Sequence, residues 1–308
     1  MPRSPGYWLW EEAALLRPTP RAIAPSHPKP PTADEALRVL RALPPFSAVA
    51  RHVLQLVSRE DIAFRKLAES IKADAALGAD MLRVANSAFF GSRYPVTGVL
   101  HAIAMLGLDR IRSLVTTVAL KNYTNPACGR AALARCWRHN LGCALISEQI
   151  ARRTGVDTDF AYTAGLLHDI GRLAMIAAWP ERYTALLDSA MCEPLHVLEL
   201  ERQELGIDHA RAGHFLINDW KLPSELAAIA ERHHAPLVEG LGDGAIVVHL
   251  SCPLADRLGF PAAGQLAAED PGPEADLPPR FRESIGDLDD LRLWVAERIN
   301  AFECCFAG

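Results

Sequence analysis

Imidazole and carboxylate side chains recur in four separate segments of the chain, in combinations that suit a metal ion. The segments carry His139, the adjacent pair His168-Asp169, His209, and the pair His233-His234. Imidazole nitrogens and carboxylate oxygens are ordinary ligands of divalent transition metals. Neighbours on one helix point about 100° apart around its axis, so His168 and Asp169 could share an ion if their helix faces a cleft. The pattern indicates metal chemistry, provided that the fold brings the four segments together.

The pair His168-Asp169 has two interpretations. As metal ligands, the two residues would hold an ion that lowers the pKa of bound water and polarises a phosphoryl oxygen. Alternatively, the pair is a helix cap or a buried hydrogen-bonded pair kept for packing. His139 alone is typical of a core histidine and gains weight only through its order relative to the others. The remaining histidines have no spacing argument and are interpreted as structural: His52, His101, His196, His214 and His249.

Apolar residues at helical spacing indicate that helices position these side chains. Ser47 and Asp74 can each cap the start of an apolar helical stripe, and Gly107 fits the end of a helix. A long helix is predicted from Ala131 to Arg153, ended by Gly155. Convincing alternating strands are absent from the sequence, so the predicted fold class is all-α.

The next predicted helix carries the central pair of candidate ligands. It begins at Asp157 or Asp159 and reaches Trp179, so that His168 and Asp169 fall within it. The sequence therefore predicts that both side chains project from one continuous helix.

Proline-rich stretches mark the ends of this helical region. Residues 1–31 hold eight of the 22 prolines, each of which removes a backbone donor, and are interpreted as a loose arm. Trp8 and Trp10 could make the arm a docking peptide, whereas a poorly ordered leader is the simpler interpretation. A second stretch rich in proline and glycine indicates a linker. The predicted division is a folded domain over 32–260, followed by a linker and a C-terminal helix over 261–308.

Length and composition exclude several classes of protein. The chain has 308 residues, 50% hydrophobic and 22% charged, so it can bury a large core and is not a disordered protein. Its net charge of −5, without a basic run, disfavours binding to nucleic acid or to a membrane surface. No stretch offers the roughly 18 apolar residues of a membrane span. Seven cysteines without a C-x-x-C pair fit a reducing compartment, so we expect a cytoplasmic protein.

The order of short motifs resembles a known family, the HDOD domain, which is the HD-related output domain of bacterial signalling proteins. In the second half of the chain the motifs are WRH at 137–139, AGLLHDIGRL at 164–173, HA at 209–210, WKLP at 220–223 and HHAP at 233–236. In the first half they are LPP at 43–45, LRVANSA at 82–88 and LGL at 106–108. The resemblance covers roughly residues 40–260, which is most of the chain.

The resemblance implies an all-α fold of two packed helical lobes, an N-terminal lobe over 32–125 and an HD-like lobe over 130–260, with the boundary near 124–130. It also implies a regulatory family tied to two-component signalling, cyclic-dinucleotide networks, motility and stress responses. The ion would be a divalent transition metal such as Fe, Mn, Ni or Zn. Carried over residue by residue, the metal ligands of the HD superfamily fall on His139, His168, Asp169, His209, His233 and His234.

Two departures from the family pattern bear on activity. The closing aspartate position falls on Cys252, whose thiolate is a poor match for Mn or Mg. Asp256 lies one helical turn, about 6 Å, further on and cannot replace it without a shift of register. The cyclic-dinucleotide phosphodiesterases of the HD-GYP type carry a Gly-Tyr-Pro run that is absent here. Arg172 stands where those enzymes carry a lysine, and it could bind a phosphate or face solvent.

These departures leave three alternatives for function. The first, which we expect, is a regulatory module of the HDOD type, non-catalytic or weakly catalytic, that binds signalling proteins or a nucleotide. The second is a divergent metal-dependent phosphohydrolase acting on a nucleotide or another phosphoester. The third is a helical scaffold with an inert histidine pocket, whose function lies in the proline-rich arm. The sequence does not indicate the oligomeric state.

Overall fold

The computed structural model describes residues 30–57, 64–89, 95–123, 131–192, 197–238, 240–263 and 279–306. Within them all regular secondary structure is α-helical, which confirms the predicted all-α class. Residues 31–308 form one compact unit. The proline-rich arm up to residue 29, the lobe boundary at 124–130 and most of the linker lie outside the described residues, so these domain limits stay predictions.

Fifteen helices run through the described residues, and none of them is long and apolar enough to cross a membrane. They are α1 (Ala33–Arg41), α2 (Ala48–Val57), α3 (Phe64–Lys72), α4 (Ala75–Ala85), α5 (Val99–Tyr123), α6 (Ala131–Thr154), α7 (Thr158–Leu167), α8 (Ile170–Ala178), α9 (Pro180–Cys192), α10 (Val197–Leu205), α11 (His209–Asp219), α12 (Ser224–Arg232), α13 (Asp243–Arg257), α14 (Pro279–Arg282) and α15 (Leu288–Cys304). In the predicted division, α1 to α5 fall within the N-terminal lobe and α6 to α13 within the HD-like lobe.

Local sequence signals explain where several helices begin and end. Ser47 and Asp74 accept hydrogen bonds from backbone N–H groups three residues later, at 3.2 and 3.0 Å, as predicted for caps. Gly155 (φ 75°) follows α6, and Gly107 (φ 81°, ψ 167°) interrupts α5. A side chain would be strained at either dihedral, so glycine sets both helix ends. The helix ends predicted at these two glycines are confirmed.

One continuous apolar core joins the two lobes. Helix α6 is buried along most of its length and packs against α7, α8, α13 and α15. Across the lobes, Phe46 stacks on Trp220 with 5.0 Å between ring centroids, and Tyr123 meets the same indole edge-on at 5.3 Å. In α15, the predicted C-terminal helix, Phe302 contacts Trp137 of α6. Because the core is shared, the two lobes are expected to unfold as one unit.

The single helix predicted up to Trp179 is wrong. The structure has two helices, α7 and α8, with His168 and Asp169 between them. Asp169 leaves the helical region (φ −110°, ψ 23°), and both side chains are buried. The apolar pattern continues on both sides of the break and contains no stop signal, so tertiary contacts override local propensity here.

Gly171 brings α8 against the first turn of α11. A Cβ on this residue would lie 1.9 Å from the carbonyl oxygen of His209, so only glycine allows the two backbones to approach this closely. The contact places the start of α8, which carries Arg172 and follows Asp169, beside His209. A backbone contact therefore aligns two of the sequence segments that carry candidate ligands.

Candidate metal centre

The structure brings the six candidate ligands into one group, which we call the histidine cluster; five are buried and His234 is half-buried. His139 comes from α6, His168 and Asp169 from the break between α7 and α8, and His209 from the first turn of α11. The rings of His168 and His233 have centroids 4.8 Å apart, and those of His139 and His168 are 5.3 Å apart. His234 also packs on this group, with its ring 5.0 Å from that of His209. Whether the cluster holds an ion stays a prediction.

Three imidazoles of the cluster are oriented by backbone carbonyl groups. The Nδ1 atoms of His139, His168 and His233 lie 2.9, 2.7 and 2.8 Å from the carbonyl oxygens of Phe260, Gly165 and Ala230, respectively. A carbonyl oxygen only accepts, so each Nδ1 carries the proton and donates it. In the neutral form, each ring would then present a lone pair on Nε2. Backbone carbonyls orient metal-binding histidines in this manner.

The central ligand atoms fit a divalent ion. His168 Nε2, Asp169 Oδ1 and His233 Nε2 are buried and have no hydrogen-bond partner among the described residues. These three residues offer ligand atoms within 4.8 Å of one another, and Asp169 Oδ1 lies 3.7 Å from His233 Nε2. Zinc binds nitrogen and oxygen ligands at about 2.0–2.2 Å, so atoms on opposite sides of one ion lie about 4 Å apart. The separations and the unpartnered atoms suit one ion.

A guanidinium group occupies one side of the cluster. Arg172 is buried, and its Nε donates to Asp169 Oδ2 at 2.6 Å. Its Nη2 lies 3.2 Å from His209 Nε2, and its Nη1 lies 3.5 Å from Glu201 Oε1. Of the two orientations left open by the sequence, Arg172 therefore faces the cluster and not solvent. Its predicted contact with a phosphate stays a prediction.

Glu201 is a member of the site that the sequence analysis missed. Its Oε2 accepts from the backbone N and from Nδ1 of His209, at 2.8 and 2.7 Å. Tyr183 donates its hydroxyl to Oε1 at 2.5 Å. A signal was present, because Glu201 follows Val197 by four residues on the buried face of α10. A carboxylate on an apolar stripe indicates a buried ion pair. We call Arg172, Glu201, His209 and Asp169 Oδ2 the Arg172 half of the cluster.

The charges in the cluster fix its protonation states. Burial alone would raise the pKa of Asp169, but Arg172 and then His209 hold it well below its usual range. Burial lowers the pKa of His168 to about 4, although Asp169 opposes the shift. Burial also lowers the pKa of His233 well below its usual value. An ionised carboxylate beside neutral imidazoles is the state that binds a metal ion.

Cys252 and Asp256 contact different nitrogens of the same imidazole. Cys252 Sγ lies 3.7 Å from His139 Nε2, whereas Asp256 Oδ1 lies 3.1 Å from His139 Nδ1. Asp256 thus lies on the outer side of His139 and does not take the closing position. His139, His168 and Cys252 offer ligand atoms within 4.8 Å of one another, and we call them the Cys252 half of the cluster.

Burial also has the largest effect on the pKa of the Cys252 thiol. Burial raises this pKa to about 12, although His139 opposes the shift. For His139, burial would lower the pKa, but Asp256 raises it well above the usual value. Without a metal ion, the Cys252 half therefore holds a neutral thiol.

The space inside the cluster is small. A cavity of about 20 Å³ is lined by His139, Asp169, Arg172, Val197, His234, Cys252, Asp256, Ala262 and Ala263. One water molecule needs at least about 10–15 Å³ measured in this manner, so the cavity has room for about one. The buried residues Ala262 and Ala263, in the segment after α13, form one side of it.

Comparison with known proteins identifies the family to which the chain belongs. The HDOD domain family model matches residues 43–236, more than half of the chain. The matched segment contains all six members of the histidine cluster, whereas Cys252 and Asp256 lie beyond it. A curated relative, an uncharacterized protein of Treponema pallidum (strain Nichols), is 24% identical over 196 residues, which are 62% of this chain and 37% of the relative. The chain thus spans little more than a third of that relative's length.

Two crystal structures share the fold. One is a candidate phosphohydrolase from Shewanella amazonensis SB2B, 22% identical with a TM-score of 0.66, covering 88% of this chain and 98% of that chain. The other is a candidate signal transduction protein from Marinobacter aquaeolei VT8, 20% identical with a TM-score of 0.65, covering 92% of this chain and 61% of that chain. Since the family match covers most of the folded unit and these structures share its helical fold, the chain belongs to the HDOD domain family.

Proposed function

We propose that the protein is a regulatory signal-transduction module of the HDOD type, non-catalytic or weakly catalytic. The observation that carries the proposal is the Arg172 guanidinium, buried within the histidine cluster and bonded to Asp169 Oδ2 at 2.6 Å. A phosphohydrolase of this superfamily would need that carboxylate for a metal ion. Here one of its oxygens already binds a cation of the protein itself.

The size of the cavity supports the same proposal. Sites for small molecules usually enclose about 300–1,000 Å³, whereas this cavity measures about 20 Å³. A nucleotide could not reach the ligand atoms unless the walls of the cluster moved apart. The cluster is therefore suited to holding the fold together or to reporting a bound ion, and less suited to turnover.

A metal ion remains compatible with this function. His168 Nε2, Asp169 Oδ1 and His233 Nε2 would hold it, and Fe, Mn, Ni or Zn would each accept such ligands. The ion would supply Lewis-acid polarisation of a bound oxygen. The protein's own groups set its surroundings: Glu201 fixes the orientation of His209, and Arg172 balances the charge of Asp169.

Signalling proteins are the partners that we propose, with a nucleotide as the alternative ligand. The candidate signal transduction protein of similar fold supports this choice. A net charge of −5 without basic runs speaks against nucleic acid or a membrane surface as partners.

A divergent metal-dependent phosphohydrolase is the second candidate. The three unpartnered ligand atoms of His168, Asp169 and His233 favour it, because a site kept only for packing would be expected to satisfy them. The candidate phosphohydrolase of similar fold supports it as well. Arg172 would then bind the phosphate of the substrate after leaving Asp169.

One experiment separates the two candidates. Metal content and phosphoester hydrolysis are measured for the wild type, His168→Ala and Cys252→Asp. We expect wild-type turnover below about 1 s⁻¹, the lower end of ordinary enzyme rates. Activity that appeared only in Cys252→Asp would also support the proposal, by showing that the missing carboxylate contributes to the low activity. Metal and turnover that are both present in the wild type and both lost in His168→Ala would contradict the regulatory proposal.

A further inference from the structure

We propose that Cys252 is a thiolate ligand of a zinc-class ion, which it holds together with His139 Nε2 and His168 Nε2. The three residues offer one sulfur and two nitrogen atoms within 4.8 Å of one another, and all three are buried. This ligand set is an alternative to the set of His168, Asp169 and His233, because His168 Nε2 can bind only one ion. The inference does not depend on whether the module hydrolyses a phosphoester.

The orientation of both imidazoles prepares them for this role. His139 Nδ1 lies 2.9 Å from the Phe260 carbonyl oxygen and 3.1 Å from Asp256 Oδ1, so it holds its proton on the outer side. Its Nε2 then faces Cys252 Sγ, at 3.7 Å. His168 Nδ1 donates to the Gly165 carbonyl group, which leaves Nε2 buried and unpartnered among the described residues. Two Nε2 atoms of fixed orientation and a thiol thus face the same point.

The separation of these atoms also suits a tetrahedral ion. Zinc binds sulfur at about 2.3 Å and nitrogen at about 2.0–2.1 Å, which places two tetrahedral ligands roughly 3.5 Å apart. The 3.7 Å between Cys252 Sγ and His139 Nε2 is close to this value. The same distance lies within the range of a thiol–imidazole hydrogen bond, which a bound ion would replace.

Charge decides which end of the cluster accepts an ion. Arg172 directs its guanidinium to Asp169, His209 and Glu201, so a divalent cation placed among those residues would meet a fixed positive charge at short range. Arg172 lines the same cavity, but among the described residues it makes no hydrogen bond or ion pair to His139, His168 or Cys252. When the ion binds, the thiol loses its proton to solvent and contributes one negative charge as thiolate.

The ligand chemistry selects the metal. Thiolate together with imidazole favours zinc over manganese and magnesium, which prefer oxygen ligands. An aspartate at position 252 would supply such an oxygen. The exchange of one carboxylate for one thiolate should therefore move the preference of the site from hard to softer ions.

X-ray absorption at the zinc edge tests the ligands without any substitution at the site. The full chain, with Cys304→Ser and Cys305→Ser to remove the two described thiols that are not buried, is stripped with a chelator and loaded with zinc alone. We expect one sulfur at about 2.3 Å and nitrogen ligands at about 2.0–2.1 Å. A first shell made only of nitrogen and oxygen, or no stoichiometric uptake of zinc, would overturn the proposal.

Cobalt spectroscopy assigns the sulfur to one residue. With Co²⁺ in place of zinc, the same protein should show a thiolate-to-cobalt charge-transfer band in the near ultraviolet. The band should vanish in Cys252→Ser and Cys252→Asp, and it should persist in the matched control Cys143→Ala, another buried cysteine. Cys252→Asp should also bind Mn²⁺ more tightly, relative to Zn²⁺, than the parent does.

The loss of zinc affinity in Cys252→Ser gives the expected size of the effect. Loss of an outer-shell partner typically weakens metal binding about 10–100-fold, so loss of a ligand should cost at least about 100-fold in Cys252→Ser. Circular dichroism of each variant checks the fold. A cobalt band that survives in both Cys252 variants would assign the sulfur to another cysteine and overturn the proposal. Phosphoester turnover is measured separately, so a failure here and a failure of the regulatory proposal are distinguishable.

Discussion

The two halves of the histidine cluster satisfy their polar atoms in opposite ways. In the Arg172 half, His209 donates to Glu201 at 2.7 Å and Arg172 donates to Asp169 at 2.6 Å, so opposite charges of the protein compensate one another. In the Cys252 half, His168 Nε2 is buried without a hydrogen-bond partner among the described residues. In the histidine cluster, the charged groups of the Arg172 half are therefore paired, whereas a buried nitrogen of the Cys252 half has no hydrogen-bond partner in the described part of the chain. The difference shows that potential metal ligands in one pocket can have different roles, some pairing with charges of the protein and others remaining available to an ion.

Removing the carboxylate of the Arg172 half should have the largest effect on stability. Glu201→Ala leaves Arg172 and His209 buried without their partner, so we expect the free energy of unfolding to fall by about 3–5 kcal/mol. Urea denaturation followed by circular dichroism measures the change. The matched control is Glu204→Ala on the same helix, a half-exposed residue that pairs with Arg182 at 3.0 Å; it should cost no more than about 1 kcal/mol. Equal costs for the two variants would contradict the comparison.

Part of the pH dependence of stability should come from His168 in the Cys252 half. In metal-free protein the pKa of His168 is lowered to about 4, whereas an unfolded histidine titrates near its usual pKa of about 6.5. The unfolded state therefore binds more protons between these values, and stability falls as the pH drops through this window. His168 alone would account for a loss on the order of 3 kcal/mol. Denaturation at several pH values should give a smaller slope in His168→Ala, and an unchanged slope would contradict this origin.

A methyl group added at Gly171 tests the backbone contact between α8 and α11 in the histidine cluster. Gly171→Ala would place Cβ 1.9 Å from the carbonyl oxygen of His209, so α8 and α11 must move apart. Overpacking of this kind typically costs about 1–3 kcal/mol, which thermal denaturation can resolve. The control is Gly98→Ala, since a Cβ there meets no atom within 4 Å. A neutral Gly171→Ala would show that the position of Arg172 beside His209 does not depend on this contact.

The smallest expected change in stability lies in the Cys252 half itself. His168→Ala in metal-free protein removes one buried hydrogen bond, to the Gly165 carbonyl group, and should cost about 1–2 kcal/mol. The same variant should lose any ion bound to this half. A loss as large as that of Glu201→Ala would mean that the two halves are equally important for the fold without metal.

Local signals in the sequence predicted much of the fold. Ser47 and Asp74 start helices because their side chains satisfy free N–H groups, and Gly107 and Gly155 end helices because only glycine is unstrained there. The motif order also identified the six members of the cluster, which the structure brings together. These features depend on short stretches of chain or on the order of family motifs, so one sequence is enough to predict them.

The parts that failed depend on contacts between distant segments. The break at His168 and Asp169 has no local signal, because packing against other helices fixes it. The direction of Arg172 depends on Glu201, which belongs to a different helix. Glu201 itself could have been suspected from its apolar face on α10. Spacing along the chain cannot tell that Cys252 and Asp256 contact opposite nitrogens of one imidazole.

The narrow cavity beside Ala262 and Ala263 has a kinetic consequence. If an ion bound there is released through local opening of the segment after α13, its rate of release should follow the rate of that opening. Beyond a certain chelator concentration, more chelator would then remove the ion no faster. The residence time of the ion would then report the rate of local opening of this segment. A partner that bound residues 260–263 and slowed their opening would lengthen the residence time without contacting any ligand.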